Sequence, residues 1–309
     1  MGETRIIEQT FVSTEEGIQR ITLPLPTGPR HVHCYVIDGT LFDTGLGLGD
    51  SPWKRVAVDR IAITHFHPDH VGGAAAAAEA TGATVHQGAL DYAQCERVWG
   101  SSDWPERIAA WFRSHGVPPD LTDDLIEQGH AFAEFVRFAR GPELLYEGSE
   151  FAGWQVIELP GHADGHIGFL RDGILIGGDH LLARISPAVG LYPESRPDPL
   201  GDYLASLERT IELAPRIVYP GHGEPIGDAA NRARELIEHH RTRLDATAAE
   251  LGPEPRSGYE VSLGLFGRAL APTQRRFAVA ETLSHLERLV RAGRAARGGD
   301  DRAVTYTAA

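Results

Sequence analysis

The sequence predicts a layered α/β chain that carries a small separate unit at its end, and three observations predict it. Short apolar runs broken by turn residues fill roughly the first ninety positions and return after residue 154. Between them, and again after residue 202, apolar and aromatic residues recur at helical spacing. The run Gly252-Pro253-Glu254-Pro255 then interrupts the chain behind a long helical stretch. With 309 residues, 42% hydrophobic and 23% charged, the chain has enough apolar material for a substantial core, which excludes disorder, collagen and coiled coil. That length accommodates one large domain, residues 1–252, and a small one, residues 253–309.

In order along the chain, residues 20–25, 33–37, 40–42, 60–64 and 83–86 read as strands. The alanine-rich stretch 73–80 between the last two reads as a helix by propensity, so strands give way to a βαβ unit. From 89 to 138, Trp99, Trp104, Ile108, Trp111, Phe112, Leu125, Phe132, Phe135 and Phe138 fall at mostly helical spacings between Gly and Pro breaks, which predicts two or three helices. Strands return at 154–159, 167–170, 174–176 and 216–219, with helices over 202–213 and 228–251. In the last unit, 279–292, 298–301 and 303–306 read as helix, turn and extended wing, the outline of a winged helix.

The formal charge of −14, from 43 acidic and 29 basic residues, repels polyphosphate over most of the surface and argues against non-specific nucleic-acid binding. Cys34 and Cys95 lie far apart with no CxxC pairing, so they read as free thiols in a reducing compartment. Residues 1–9 are charged and lack the apolar stretch of roughly 7–15 residues of an export signal. No segment approaches the ~20 apolar residues of a membrane helix, and a cytoplasmic protein away from the membrane is expected.

Chemistry concentrates in Thr64-His65-Phe66-His67-Pro68-Asp69-His70, three imidazoles and a carboxylate directly after an apolar strand. In an extended segment His65 and His67 point to the same side and can reach one ion, while the turn at Pro68 re-aims Asp69 and His70 towards a second position. Three further candidates follow apolar strands at small-residue turns: His162 in Leu-Pro-Gly-His, Asp179 in Ile-Gly-Gly-Asp and His222 in Tyr-Pro-Gly-His. Glycine lets the backbone turn sharply where a side chain must face inward towards an ion.

This order of ligands resembles the metallo-β-lactamase superfamily, with all seven positions matched and an Asp43-Thr44-Gly45 turn after the early strands. The resemblance covers about residues 20–250. Within the superfamily, Pro-Gly-His-Ala-Asp-Gly-His at 160–166, Tyr-Pro-Gly-His-Gly-Glu-Pro at 219–225 and the C-terminal helical unit are similar to the beta-lactamase-like protein 2 group, whose members often carry a small winged-helix domain there. The chain departs from the antibiotic-degrading zinc β-lactamases at Asp179, where one subclass has cysteine, and in lacking an export signal. It departs from glyoxalase II in ending this motif Gly-His-Gly-Glu rather than Gly-His-Glu-Tyr.

The resemblance implies an αββα sandwich with a dinuclear site at one edge of the sheets and a helical insertion at about 90–140. It implies that His65, His67 and His162 hold the first metal, that Asp69, His70 and His222 hold the second, and that Asp179 bridges both. Two Zn2+ fit these donors, and iron or manganese also accepts them. Such a pair lowers the pKa of a bridging water from about 15.7 towards ~7 and supplies a hydroxide for attack on a carbonyl or phosphoryl centre. Asp69 is the expected catalytic residue, orienting that nucleophile, and the absence of GxSxG agrees with a mechanism that needs no side-chain nucleophile.

The expected function is hydrolysis of an ester, thioester or lactone of a small or acyl-carrier-borne substrate. The alternatives are phosphodiester or RNA cleavage with the same metals, and a metal-containing regulatory binding protein. Trp99, Trp104, Trp111 and Phe112 are expected either to wall an apolar substrate pocket or to pack the insertion's own core or a homodimer contact. Residues 254–309 hold nine arginines against six acids and so are net basic by three, beside a remainder at −17. Arg288, Arg291 and Arg294 share a helical face that could dock nucleic acid, but next to so acidic a body the unit is expected to pack against it and close the site. His166 reads as a backbone-satisfied strand-start residue or, less favoured, a donor behind the metal ligands, His180 as structural or as lining the substrate site or donating to an oxyanion, Asp43 as fixing its turn or a ligand imidazole, and His239-His240 as a solvated helix face.

Overall fold

The computed structural model describes residues 10–13, 17–26, 28–47, 52–193 and 195–309; residues 1–9, read above for an export signal, lie outside them. Seven strands form the first sheet in chain order: β1 (Thr10–Ser13), β2 (Gln19–Pro24), β3 (His31–Ile37), β4 (Thr40–Phe42), β5 (Arg60–Ile63), β6 (Thr84–Gly88) and β7 (Glu143–Leu145). β1 to β4 are an antiparallel meander, and β4 to β7 run parallel. The second sheet is ordered β12-β11-β10-β9-β8 from β8 (Glu150–Phe151), β9 (Trp154–Glu158), β10 (Ile167–Arg171), β11 (Ile174–Gly178) and β12 (Ile217–Pro220).

Side chains alternate across a strand, and here both faces of the central strands are apolar because each sheet is covered twice. From the first sheet, Cys34, Val36, Ile61 and Ile63 pack outward with Val71, Ala74 and Ala77 of two short helices, α1 (Pro68–Val71) and α2 (Ala74–Thr81). Their neighbours Tyr35, Ile37 and Ala62 point the other way, onto Trp154, Val156, Phe169 and Ile176 between the sheets. From the second sheet, Ile157, Leu159, Leu175 and Val218 pack onto α6 (Pro199–Leu213) and α7 (Ala229–Ala249) through Leu200, Tyr203, Leu207, Ala233 and Leu236. The layers are helix, sheet, sheet, helix, and the alanines of α2 let it close tightly on its sheet.

Three helices, α3 (Ala89–Val98), α4 (Trp104–Ser114) and α5 (Pro119–Ala133), fill the excursion between β6 and β7. The chain ends with α8 (Gly258–Phe266), α9 (Pro272–Arg291) and an antiparallel ribbon of β13 (Ala295–Asp300) and β14 (Ala303–Ala308). Val261, Val279, Leu283, Leu286, Val304 and Tyr306 of this last unit share one core with Ile108, Phe112, Val117 and Leu125 of the insertion. Of the four aromatics read from the sequence as pocket wall, insertion core or homodimer contact, Trp104, Trp111 and Phe112 pack with the C-terminal unit, while Trp99 packs with the outer core of the first sheet. The amphipathic face of α4, Ile108, Ala109 and Phe112, has no sheet beneath it and finds its cover there.

Several boundaries differ from the sequence reading for identifiable reasons. α6 starts at Pro199 because the Asp198 carboxylate accepts the Gly201 N–H and proline is favoured at the first helical position. α8 is absent from the sequence reading, although Ser257 and Glu260 form a reciprocal capping box before it. α9 starts at Pro272, seven residues before the expected 279, because its first turns are polar; Arg275 is nonetheless buried, donating to the Ser262 carbonyl at 3.3 Å. The pair on α7 is split: His239 is exposed, but His240 is fully buried because α7 also packs against α9. Its Nδ1 lies 3.3 Å from His285 Nε2. Among the described residues no helix is long and apolar enough to cross a membrane.

Two outcomes follow from this packing. Phe112 is 1% exposed at the seam of insertion and C-terminal unit, so Phe112→Ala is expected to cost about 3–5 kcal/mol in chemical denaturation. Burial, with His285, His239 and Arg243 beside it, holds His240 at about 3, and burial holds His285 at about 4, both below the ordinary 6.5. The Glu281 carbonyl accepts from His285 Nδ1, and the Glu281 carboxylate faces Arg243. Both imidazoles are neutral when folded and bind protons when unfolded, so stability should fall as pH drops from about 6.5 to 4. The double variant His240→Gln/His285→Gln should flatten that slope in denaturation curves.

Candidate metal centre

All seven candidate side chains gather at one edge of the sandwich, His65, His67, His162, Asp179 and His222 on loops and Asp69 and His70 in the short helix α1. β9, β11 and β12 run in the same direction, so His162, Asp179 and His222 leave the second sheet at the same end. β4 and β5 end opposite them, carrying Asp43 and the 64–70 loop. Backbone bonds lock the two edges together: the Ile167 N–H donates to the Thr64 carbonyl at 2.9 Å and the His33 N–H to the Gly221 carbonyl at 2.7 Å. The Tyr35 hydroxyl donates to the Pro220 carbonyl at 2.6 Å. Glycine is obligatory at 221, where a Cβ would lie 2.5 Å from both Asp179 Oδ1 and His70 Cε1.

Within this edge, His67 Nδ1 and His162 Nε2 are 2.8 Å apart, and the His65 ring lies 4.7 Å from His67 and 5.1 Å from His162. His222 Nε2 sits 3.2 Å from Asp69 Oδ2 and 3.3 Å from Asp179 Oδ2. Asp179 also approaches His162 Nε2 at 3.7 Å and, through Oδ1, His70 Nε2 at 3.5 Å. Three overlapping groups of donor atoms result, each within 4.8 Å: His65, His67, His162; His65, His70, Asp179; and Asp69, His70, His222.

The ring orientations are fixed from behind, and the partners dictate which nitrogen carries hydrogen. Asp43, in a left-handed conformation with φ 60°, accepts from the Thr64 N–H and hydroxyl, each at 2.8 Å. With its hydroxyl hydrogen so committed, Thr64 Oγ1 accepts from His65 Nδ1 at 3.0 Å, leaving Nε2 as the lone-pair nitrogen. His70 Nδ1 donates to Asp43 at 2.8 Å, His162 Nδ1 to the Ala188 carbonyl at 2.7 Å and His222 Nδ1 to the His31 carbonyl at 2.6 Å. Four imidazoles thus turn Nε2 into the centre and anchor Nδ1 outside it, the arrangement that orients metal-binding histidines.

Charge follows the same division. Burial and neighbouring imidazoles hold His65 well below its ordinary range and His67 at about 3, and burial lowers His162. These rings are neutral, with lone pairs available. Burial opposes charge on Asp69 and Asp179 too, but His70 and His222 outweigh it, keeping Asp69 at about 2 and Asp179 well below the carboxylate range. Burial likewise disfavours charge on His70 and His222, yet the surrounding carboxylates push His70 well up and His222 to about 10. The carboxylates therefore demand positive charge beside them. Buried His65 Nε2, His70 Nε2 and Asp179 Oδ1 have no hydrogen-bond partner, and this set of nitrogen and carboxylate donors fits divalent cations.

All seven sequence-predicted ligands come together, and the other histidines separate by role. His166 stacks on His65 with ring centroids 4.9 Å apart, and its Nε2 accepts the Asp179 N–H at 3.2 Å. His180 is fully buried and bonds Thr210 Oγ1 at 2.7 Å, so it is structural. Sequence reasoning missed how the ligand loop is clamped. Asp91 Oδ1 accepts the Phe66 N–H at 2.8 Å, and Trp99 Nε1 donates to the Phe66 carbonyl at 2.8 Å. Both polar groups of the residue between His65 and His67 are thus held by α3 and the residue that follows it. Nothing in the sequence marks Asp91, which looks like an ordinary surface acid of an amphipathic helix.

A family model described as the metallo-beta-lactamase superfamily matches residues 27–222, and one described as the metallo-beta-lactamase-like C-terminal domain matches 244–309. The chain belongs to the metallo-β-lactamase superfamily. It is 29% identical over 306 residues to a Bacillus subtilis (strain 168) protein named "Probable metallo-hydrolase YqjP", covering 89% of this chain and 92% of that one. It is 25% identical over 193 residues to the beta-lactamase-like protein 2 homolog of Drosophila melanogaster, covering 62% of this chain and 53% of the relative. A metallo-beta-lactamase family protein from Thermus thermophilus, TTHA1429, superposes with a TM-score of 0.80 at 34% identity, over 95% of this chain and 99% of that one. The αββα fold is that of the superfamily, the chain is a hydrolase of it, and the superfamily implies divalent metal at the His and Asp cluster.

Asp91 gives a direct check on the clamp. Asp91→Ala is expected to weaken metal binding about 10- to 100-fold in chelator competition, because the His65–His67 backbone loses its anchor. Asp91→Asn keeps an oxygen for the Phe66 N–H, and the unpartnered Gln87 Oε1 can accept from the new amide, so its affinity should stay within a few-fold of wild type.

Proposed function

We propose that the chain is a dinuclear zinc hydrolase that cleaves an ester, thioester or lactone of a small or carrier-borne acyl substrate. The observation that carries it is the convergence of His65, His67, His162, Asp69, His70, His222 and Asp179, with His65 Nε2, His70 Nε2 and Asp179 Oδ1 buried and unpartnered. His65, His67 and His162 would hold one ion, Asp69, His70 and His222 the other, and Asp179, which approaches both His162 and His222, would serve each. A bound pair of divalent cations supplies Lewis-acid polarisation of the scissile group and lowers the pKa of water.

The protein's own groups do the rest. Asp69 is ionised and its side chain is 22% exposed, against 9% for Asp179, so it is the centre's carboxylate placed to accept a proton from an incoming water. Asp43, Thr64 and the carbonyls of Ala188 and His31 keep the imidazoles in one tautomer and one orientation. An uncharged acyl substrate suits a body carrying −17, and the basic helix is engaged inward: Arg288 pairs with Asp198 at 2.9 Å and Arg294 with Asp245 at 2.8 Å, while Arg291 Nε donates to the Pro197 carbonyl at 3.4 Å. We read α8, α9 and their ribbon as a winged-helix-like cover for the insertion rather than a nucleic-acid reader.

The test is hydrolysis by zinc-loaded protein of a matched panel: an acyl thioester, a lactone, an aryl ester, a phosphodiester and a short RNA. Carbonyl turnover is expected, falling to background in His67→Ala and after chelation, and returning when zinc is restored to the wild type. Turnover of the phosphodiester or RNA alone would sink the acyl reading.

A further inference from the structure

Between β11 and α6 the described residues of 179–198 form no helix or strand, and one carbonyl in this strap orients a candidate ligand: Ala188 O accepts His162 Nδ1–H at 2.7 Å. The strap is held on the far side by the C-terminal unit. Three residues beyond Ala188, the Leu191 N–H donates to the Ala280 carbonyl in the middle of α9 at 3.0 Å. At Gly190 the strap lies so close to α9 that a Cβ would come within 3.0 Å of Ala280 Cβ and 2.7 Å of the Tyr192 ring. Two residues before Ala188, Ser186 Oγ lies 3.4 Å from His240 Nε2, and His240 Nδ1 meets His285 Nε2 of α9 at 3.3 Å. At its end, Asp198 pairs with Arg288 of α9. Val189, next to the orienting carbonyl, is fully buried.

We infer that α9 is a positioning element for the metal centre: by holding the 186–192 strap it fixes the Ala188 carbonyl, and through it the His162 ring and the affinity of the His65, His67, His162 group. The C-terminal unit then acts on catalysis without touching substrate. The inference rests on the reading that those three histidines hold an ion. It separates the two metal positions, because the other group is anchored elsewhere, His70 on Asp43 and His222 on the His31 carbonyl. Conformational coupling of this kind is reciprocal, so metal at His162 must in turn tighten the strap against α9.

The experiment titrates the metal-free full chain with cobalt(II), followed by visible absorption, in wild type and Gly190→Ala. The backbone at 190 lies outside the left-handed region, so alanine is conformationally tolerated, and its methyl would crowd both the strap's own Tyr192 ring and Ala280 of α9, so that the strap must shift. One binding step should weaken about 10- to 100-fold while the other and the melting temperature hold. Adding Ala280→Gly, which returns space at one of the two crowded contacts, should recover part of the loss. Two wild-type affinities in Gly190→Ala overturn the inference and leave the functional reading intact; a wild type that takes up no cobalt overturns both. Should the variant fail to fold, hydrogen exchange in the wild type decides. Cobalt should slow exchange of the Leu191 amide more than that of the Tyr306 amide, which bonds Arg256 within the C-terminal unit at 2.8 Å, and equal slowing refutes the coupling.

Discussion

Five imidazoles and two carboxylates pointing their lone pairs at one another cannot coexist inside a protein unless positive charge is shared among them, and the rest of this molecule is arranged around that constraint. Solvent is excluded from His65 and His70, so no water shell can screen the repulsion. Without a cation the carboxylates recruit protons instead, which is why His70 and His222 stay basic while His65, His67 and His162 do not. The basic pair has the carboxylates nearest: His70 lies 2.8 Å from Asp43 and 3.5 Å from Asp179, and His222 lies 3.2 Å from Asp69 and 3.3 Å from Asp179, whereas His162 has only Asp179 at 3.7 Å. Cation binding there replaces protons rather than filling neutral space, so loading is coupled to proton release.

Holding such a set together requires rigid supports, and both sheets and the insertion supply them. The first sheet contributes Asp43, a single carboxylate that serves Thr64 and His70 directly and His65 through Thr64. The second sheet contributes three ligand loops cross-linked to the first through Thr64, His33 and Tyr35. The insertion contributes Asp91 and Trp99, which hold the peptide between His65 and His67. Aspartate recurs as a support, at Asp43 and Asp91. The common feature is that every one satisfies a backbone or ring hydrogen bond that would otherwise compete with the donor atoms for orientation.

What the sequence disclosed and what it withheld divide along the same line. The seven donors were legible because metal chemistry needs particular side chains at strand ends, and HxHxDH with three later glycine turns leaves few alternatives. The layered α/β character was legible from the alternation of apolar strands and helical spacings, whereas the two-sheet sandwich came only through the resemblance those seven residues carry. The supports were not, because they depend on contacts between distant segments: the His31 and Ala188 carbonyls are backbone atoms, and any residue could have provided them. Asp91 and His240 carry no local signal of burial. α8 escapes a sequence reading although Ser257 and Glu260 announce it, because its apolar face becomes meaningful only once α9 is seen to start at Pro272.

Part of the basic charge of the C-terminal unit meets the acidic body in specific contacts. Arg288 of α9 reaches back 90 residues to Asp198, Arg294 just beyond α9 reaches 49 to Asp245, and Arg291 donates to the Pro197 carbonyl. Partly exposed pairs like these contribute little stability singly, about 0–1 kcal/mol each. Their geometric effect is larger, because Asp198 also caps α6 and closes the strap that begins beside Asp179. The Arg288–Asp198 pair thus joins the Leu191–Ala280 backbone bond in holding α9 against the strap whose Ala188 carbonyl orients the proposed ligand His162.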